Sequence, residues 1–293
     1  MAKIAFRAIE GKAPAYLGLV GVLAVFLIAG LGSAWYMEHS GHYVTGMTNQ
    51  VVWGMPHVFA VFLIVAASGA LNVASMSSAF NRTVYKPLAP LSALLAIALL
   101  VGGLAVLVLD LGRPDRLLVA MTTYNFKSIF AWNIYLYVGF MVIVGAYLWF
   151  MMERRMNRFS KAAGFVAFIW RLILTTGTGS IFGFLVARQA YDAAIMAPLF
   201  IAMSLSFGTA IFLLVLVRAY EGTNRPLDPA LVNRLANLLA IMVAVVLYFT
   251  AAQHLTNLYA AEHQGVESFI LFSGNKYSQL FWIGQVAFGG FIP

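Results

Sequence analysis

Long uninterrupted runs of apolar residues are the feature that most limits what this chain can fold into. A helix needs about 20 apolar residues to cross roughly 30 Å of hydrocarbon, and several segments, beginning with 13–35, reach that length. The chain is 62% hydrophobic and 10% charged, whereas soluble domains are roughly 45–50% apolar and about 25% charged. The sequence therefore predicts an all-α fold, a polytopic bundle of transmembrane helices.

The apolar runs predict about eight helices in one integral membrane domain, 1–293. They are expected over 14–36, 51–76, 87–111, 127–152, 162–188, 195–218, 234–258 and 277–293. The first run is longer than the roughly 7–15 residues of a signal-peptide core, so we interpret it as an anchor. The last has no closing polar flank, and we expect the chain to continue beyond Pro293.

The positions of Lys and Arg predict the orientation. Twelve of the 18 lie in one set of loops, five lie in the other set, and Arg171 lies inside the fifth predicted helix. The positive-inside rule puts the richer set, and with it the N-terminus, in the cytoplasm. We call 37–50, 112–126, 189–194 and 259–276 the outer loops, and expect them to face the periplasm across the inner membrane. The charge of +8 is then explained without nucleic acid as a partner.

His57 and Asp110 are ionisable residues in predicted transmembrane helices, where such residues are rare. His57 lies near the start of the second predicted helix, and Asp110 ends the third, where Gly112 suits a helix C-cap. One interpretation is a capped helix end with a surface ion pair between Asp110 and Arg113. The other is a catalytic group in which Arg113 orients Asp110, and a partly desolvated carboxylate handles protons beside His57.

Further polar and aromatic residues are expected at a similar depth, from separate helices. They are Tyr124, Trp132, Asn133 and His254. Polar groups that converge among apolar walls are typical of a small-ligand pocket. A quinone suits it, because the head group needs hydrogen-bond partners, the tail needs lipid, and oxidation of a quinol releases protons that His and Asp can accept. We expect menaquinone or ubiquinone here, bound also by His57 and Asp110.

Two features allow more than one interpretation. Arg171 is expected about 15 Å inside the fifth helix. There it either snorkels, or pairs with carbonyls or with Thr175 and Thr176, or else forms a proton path with Asp110. A haem needs two facing histidines, and only His57 and His254 lie inside predicted helices, so one haem stays an alternative. Our main expectation is no haem and no metal in this chain.

The lack of cysteine places any iron–sulfur cluster in a partner.

Three motifs resemble the NrfD/PsrC-type integral membrane subunits of redox complexes. The run 53–59, WGMPHVF, opens a helix; 109–114, LDLGRP, closes the next; and 124–128, YNFKS, precedes the fourth. The resemblance covers essentially the whole chain. Within this family, the chain is most similar to the DsrP type, which belongs to the sulfur-metabolism complex DsrMKJOP.

The resemblance implies quinone binding near the periplasmic face and electron exchange with a periplasmic, ferredoxin-like iron–sulfur subunit, beside other membrane and cytochrome subunits and lipid. It places the family's site histidine on His57 and its acid and arginine on Asp110 and Arg113. Longer members of the family carry about ten helices, which fits our expectation that the chain continues beyond Pro293. One departure is Gly177, where shorter relatives often have tyrosine. A tyrosine contact to quinone would then come from Tyr124 or Tyr135.

Two other functions stay open at this point. One is an ion- or proton-translocating module without redox chemistry, for which broken helices and polar sites near the midplane are typical. The other is an anchor that only holds soluble subunits at the membrane. In every case we expect a subunit that is not catalytic alone.

Overall fold

The computed structural model describes residues 14–111, 113–223 and 225–292, and no strand occurs among them. Its helices are α1 (Pro14–Ser40), α2 (Met55–Ala70), α3 (Asn72–Ser78), α4 (Ala89–Leu109), α5 (Leu117–Thr122), α6 (Ile129–Met152), α7 (Ser160–Gly183), α8 (Met196–Gly222), α9 (Pro229–Tyr259), α10 (Gln264–Glu267) and α11 (Lys276–Gln279). π-helical segments, Ser268–Phe272 and Leu280–Phe291, continue α10 and α11. The predicted all-α class is confirmed. Lys3, Arg7 and Lys12, on which part of the orientation depends, lie outside the described residues.

Seven helical stretches in the described part of the chain are long and apolar enough to cross a membrane, α2 and α3 together counting as one. The helix predicted over 162–188 ends at Gly183, because Phe184 and Leu185 bond back to the last turn and the chain then turns. The helix predicted from 234 begins at Pro229. Asp228 caps it by accepting a hydrogen bond from Ala230 N at 2.9 Å, and proline suits a first helical turn.

The second predicted helix is interrupted at Leu71, between α2 and α3. Ser92 of α4 bridges the interruption: its hydroxyl donates to Ala70 O at 2.6 Å and accepts from Ala74 N at 3.0 Å. Backbone groups freed inside a membrane need such partners. The side chain of a neighbouring helix therefore makes this break tolerable.

Small residues bring the central helices into backbone contact. A Cβ on Gly69 of α2 or on Gly208 of α8 would collide with the backbone of the other helix. Gly179 of α7 is similarly close to the backbone at the start of α8, and Gly183 is close to the backbone of Ala193 just before it. The glycines and small residues that the sequence places in these helices thus serve the close packing typical of membrane bundles.

The buried core divides by depth. One apolar cluster joins α2, α4, α6 and α7, a second includes Phe182 and Phe200 toward the outer loops, and a third includes Phe212 and Leu235 toward the opposite end. In contrast, the side chains of α1 are almost all exposed, Met37 being the buried exception. Helix α1 contacts mainly the turn His42–Thr45 that follows it.

The outer loops lie together at one end of the bundle. Arg188 Nη2 donates to Gln50 O at 2.7 Å, and Gln253 Nε2 donates to Ala190 O at 3.2 Å. These bonds connect the loop before α2, the loop between α7 and α8, and the last turns of α9. We call this the outer end.

Candidate functional site

His57 and Asp110 meet at the outer end. His57 lies in the first turn of α2, which begins after Gly54 with a proline in that turn, and Asp110 caps the C-terminus of α4. His57 Nδ1 is 3.1 Å from Asp110 Oδ2, and the two side chains are 14% and 5% exposed. Two helices of opposite direction thus bring together the pair on which the sequence prediction rested.

Aromatic rings enclose the histidine. Trp53 stacks on the His57 ring, with centroids 4.7 Å apart and planes inclined by 4°. The edge of Trp53 meets Phe182 at 5.4 Å, and Phe182 stacks on Phe200 at 5.1 Å. The His57–Asp110 pair therefore has an apolar, aromatic wall on the side of α7 and α8, where a flat ring system can pack.

One oxygen of the carboxylate is left free. Asp110 Oδ1 is buried and accepts no hydrogen bond from the described residues, although a buried carboxylate oxygen is costly without a donor. Burial raises the pKa of Asp110, and the neighbouring His57 and His42 oppose that rise. The pair can thus accept a hydrogen bond or a proton from a ligand hydroxyl, which fits the head group of a quinol.

His42 is a neighbour that the sequence interpretation did not include. It begins the turn His42–Thr45, and within the described part of the chain neither of its buried ring nitrogens has a hydrogen-bond partner. The only sequence signal was its spacing of four residues from Glu38, within the predicted outer loop 37–50. That spacing is too common on helices to identify a site.

Arg113 does not join the pair. Its side chain is exposed, and the ion pairs found among the described residues include none between Arg113 and Asp110. Gly112, expected as the helix cap between them, lies outside the described residues. The geometry therefore pairs Asp110 with a histidine rather than with the arginine.

Tyr124 and Trp132 lie together in a separate aromatic group. Tyr124 meets Phe126 and Tyr135 edge-on at 4.7 Å each, and Trp132 at 5.9 Å. Trp132 Nε1 donates to Phe126 O at 2.9 Å, fixing the loop before α6. The Tyr124 hydroxyl is buried and unbonded within the ranges described. It is thus the member of this group with a polar atom to offer.

The side chain of Asn133 forms hydrogen bonds within the helix bundle. Its Nδ2 donates to Ile129 O at 2.9 Å, and its Oδ1 accepts from Thr178 of α7 at 3.3 Å. The residue is buried at the α6–α7 contact, close to Gly177. The polar groups of Asn133 therefore have partners within the protein.

His254 belongs to a second buried cluster. Its Nδ1 is 2.7 Å from Glu267 Oε2, Asn257 Nδ2 donates to Glu267 Oε1 at 2.9 Å, and Phe281 meets the His254 ring edge-on at 4.7 Å. Glu267 is 1% exposed and was not predicted, because it lies in a loop that the sequence left unstructured. His57 and His254 each have a carboxylate partner of their own, in separate clusters.

Arg171 lies deep in α7 and is 3% exposed. Its Nη1 donates to Ser68 O at 3.3 Å, and Ser68 Oγ donates back to Arg171 O at 3.2 Å. The guanidinium lines a cavity of about 360 Å³ with Asn72 and Ser75, beside the break between α2 and α3. The carbonyl contact expected from the sequence is present, on α2, whereas Asp110 lies at the outer end and does not contact Arg171.

Comparisons with known proteins agree with this architecture. The sequence model of the family described as "Polysulphide reductase, NrfD" matches residues 43–293. The chain is 30% identical to the Hdr-like menaquinol oxidoreductase integral membrane subunit of Archaeoglobus fulgidus, over 99% of this chain and 73% of the relative. It is 31% identical to a putative dimethyl sulfoxide reductase membrane subunit of Halobacterium salinarum, over 94% and 68%. It is 23% identical to a selenate reductase subunit of Mesobacillus selenatarsenatis, over 93% and 72%.

Proposed function

This chain belongs to the polysulphide reductase NrfD family, and on that premise we propose that His57 and Asp110 bind a quinone or quinol head group. The chain would serve as the quinone-handling membrane subunit of a larger redox complex. The observation that carries the proposal is the buried His57–Asp110 hydrogen bond with a carboxylate oxygen left free beside it.

The chemistry of the two residues suits proton transfer at a quinol. Asp110 Oδ1 would accept a hydrogen bond from a quinol hydroxyl and then its proton. The His57 ring, held by Asp110 through Nδ1, presents its other nitrogen for the second hydroxyl or carbonyl. Trp53 fixes the plane of the His57 ring. Electrons leave to a partner, because the chain has no cysteine to ligate a cluster.

The names of the relatives favour a menaquinol among the possible quinols. The Archaeoglobus relative is named for menaquinol, and the others are named as subunits of reductases. We propose a periplasmic, ferredoxin-like iron–sulfur subunit as the electron partner, with further membrane and cytochrome subunits, as in the DsrP type that the motifs resemble. The charge asymmetry supports an inner-membrane position with the N-terminus in the cytoplasm.

The decisive variants are His57→Ala and Asp110→Asn in the purified complex. We expect a loss of about 100-fold or more in the turnover of a short-chain quinol, with the complex still fully assembled, because each removes a group that accepts a proton. His39→Gln is a matched control: His39 is an exposed histidine whose Nδ1 contacts Trp35 O. If both site variants retain full turnover, the chain acts as an anchor and the proposal fails.

Proton movement across the membrane is a second part of the proposal, favoured by Arg171. A buried guanidinium beside a helix break and a cavity is the kind of feature that ion pathways use. We expect Arg171→Gln in proteoliposomes to lower the number of protons moved per electron while quinol turnover continues. An unchanged ratio would make Arg171 a packing residue that connects α2 and α7.

A further inference from the structure

Several polar atoms between Asp110 and the surface have no hydrogen-bond partner within the described residues. The turn His42–Thr45 packs on the start of α2, where a Cβ on Gly54 would collide with Thr45 and Met47. His57 lies one turn further along the same helix. The turn therefore lies against the N-terminal end of the helix that carries His57, and the electrostatic influence of His42 lowers the pKa of Asp110.

Three buried atoms in this group have no hydrogen-bond partner among the residues described: Asp110 Oδ1 and both ring nitrogens of His42. Buried polar atoms in proteins are normally bonded to protein or to water. The unused hydrogen-bonding capacity of these three atoms is therefore available to a ligand group or to water. A histidine there can take up a proton on one nitrogen and release one from the other.

Exposure increases step by step from the pair to the surface. The Asp110 side chain is 5% exposed, His42 is 19% exposed, and Glu38 is 38% exposed. His42 Nε2 is 3.9 Å from Glu38 Oε1, which is beyond direct hydrogen bonding but within reach of a small movement. Among the described residues, His42 thus has an acidic group on each side, with Asp110 on the inner side and Glu38 on the outer side.

We propose that His42 and Glu38 carry a quinol proton from Asp110 to the outer surface. The inference rests on the proposed function. In oxidation, Asp110 accepts a hydroxyl proton as two electrons pass to the iron–sulfur partner. His42 takes that proton, and Glu38 releases it to water, while the second proton leaves through His57. In quinone reduction the same residues deliver protons inward. His42 is thus a proton-transfer residue, and His57 and Asp110 are the residues that contact the quinone.

The test uses His42→Gln in the assembled complex. We expect kcat for short-chain quinol oxidation to fall about 10-fold, with KM and the affinity for a short-chain quinone unchanged. Added imidazole restores part of the rate, because a diffusible base replaces the missing one. Glu38→Gln lowers kcat by a smaller factor of about 3, and exposed His39→Gln is the matched control with no effect.

A second readout does not depend on turnover. In infrared spectra, the band of the protonated Asp110 carboxyl should disappear at a higher pH in His42→Gln than in wild type, because the variant lacks the imidazole whose electrostatic influence lowers the pKa of Asp110. An unchanged kcat in His42→Gln would overturn the inference, and so would a rise in KM without a fall in kcat. The proposed function itself fails only if His57→Ala and Asp110→Asn are also active, so the two failures are distinguishable.

Discussion

Two histidine–carboxylate pairs occupy the outer end, and they differ in what they leave free. In both, a histidine Nδ1 faces a buried carboxylate, at 3.1 Å for His57–Asp110 and 2.7 Å for His254–Glu267. Glu267 has both oxygens bonded, one by His254 and one by Asn257. Asp110 has only one bonded within the described chain, and Oδ1 is left over.

The difference separates a structural pair from a reactive one. A carboxylate with every oxygen satisfied holds its elements together, and Glu267 connects α10 to α9. A carboxylate with a free, buried oxygen bears a cost that a ligand can remove by donating a hydrogen bond. Judged by burial alone, Glu267, which is 1% exposed, would be the candidate ligand-binding carboxylate. The unbonded carboxylate oxygen instead identifies Asp110 as the candidate ligand-binding residue.

The largest expected contrast is in turnover of the matched amides Asp110→Asn and Glu267→Gln. We expect the first to lose about 100-fold in quinol oxidation and the second to stay within about 2-fold of wild type per assembled complex. Stopped-flow reduction of the partner clusters measures both. Equal losses would remove the distinction between the two pairs.

Stability should show the reverse order. Glu267→Ala leaves the bonding groups of His254 and Asn257 without a partner and should cost about 2 kcal/mol, whereas Asp110→Ala leaves only His57 and should cost about 1 kcal/mol or less. Thermal unfolding of the detergent-solubilised complex, compared with Asn257→Ala, provides the measurement. A greater loss for Asp110→Ala would show that Asp110 is the structural member.

Substitutions of the aromatic neighbours should distinguish the two pairs by a smaller effect, on the KM for quinol. Trp53 stacks on His57, and Phe281 meets His254 edge-on. We expect Trp53→Leu to raise KM for quinol about 5-fold, in line with an aromatic contact worth about 1 kcal/mol, and Phe281→Leu to leave KM unchanged. If KM responds to Phe281 instead, the quinol binds at the His254 cluster.

The smallest expected effect is a displaced pH dependence. Burial raises the pKa of Asp110, so the carboxyl gains its proton at a higher pH than an exposed aspartate does. A protonated Asp110 cannot accept the quinol proton, and the rate should therefore fall, as pH decreases, at a pH above the usual range for aspartate. This acid limb should be absent from the residual rate of Asp110→Asn and present in Glu267→Gln.

Most of the correct predictions came from two sequence features. The apolar runs predicted the helices, and the polar residues within those runs predicted the candidate site. Seven of the eight expected helices are long and apolar enough to span, and His57 and Asp110 could be placed at one depth because helix length fixes depth. Rotation about the helix axis is not fixed by depth. Asn133 and His254 bond within their own surroundings, to Thr178 and Glu267.

What the sequence could not supply lies in loops and in contacts between helices. Glu267 and His42 are in outer loops whose local turns have no apolar periodicity to reveal them. The break at Leu71 depends on a serine from another helix, Ser92, which only tertiary packing brings there. Partners of this kind are set by the assembled bundle.

Photolabelling with an azido derivative of a short-chain quinone tests the central claim most directly. The labelled complex is digested and the modified peptides are identified, with unlabelled quinol as competitor. The account predicts competed label in 53–57 and in 107–113, and loss of that label in Asp110→Asn but not in Glu267→Gln. Label confined to 253–282, unaffected by Asp110→Asn, would contradict it.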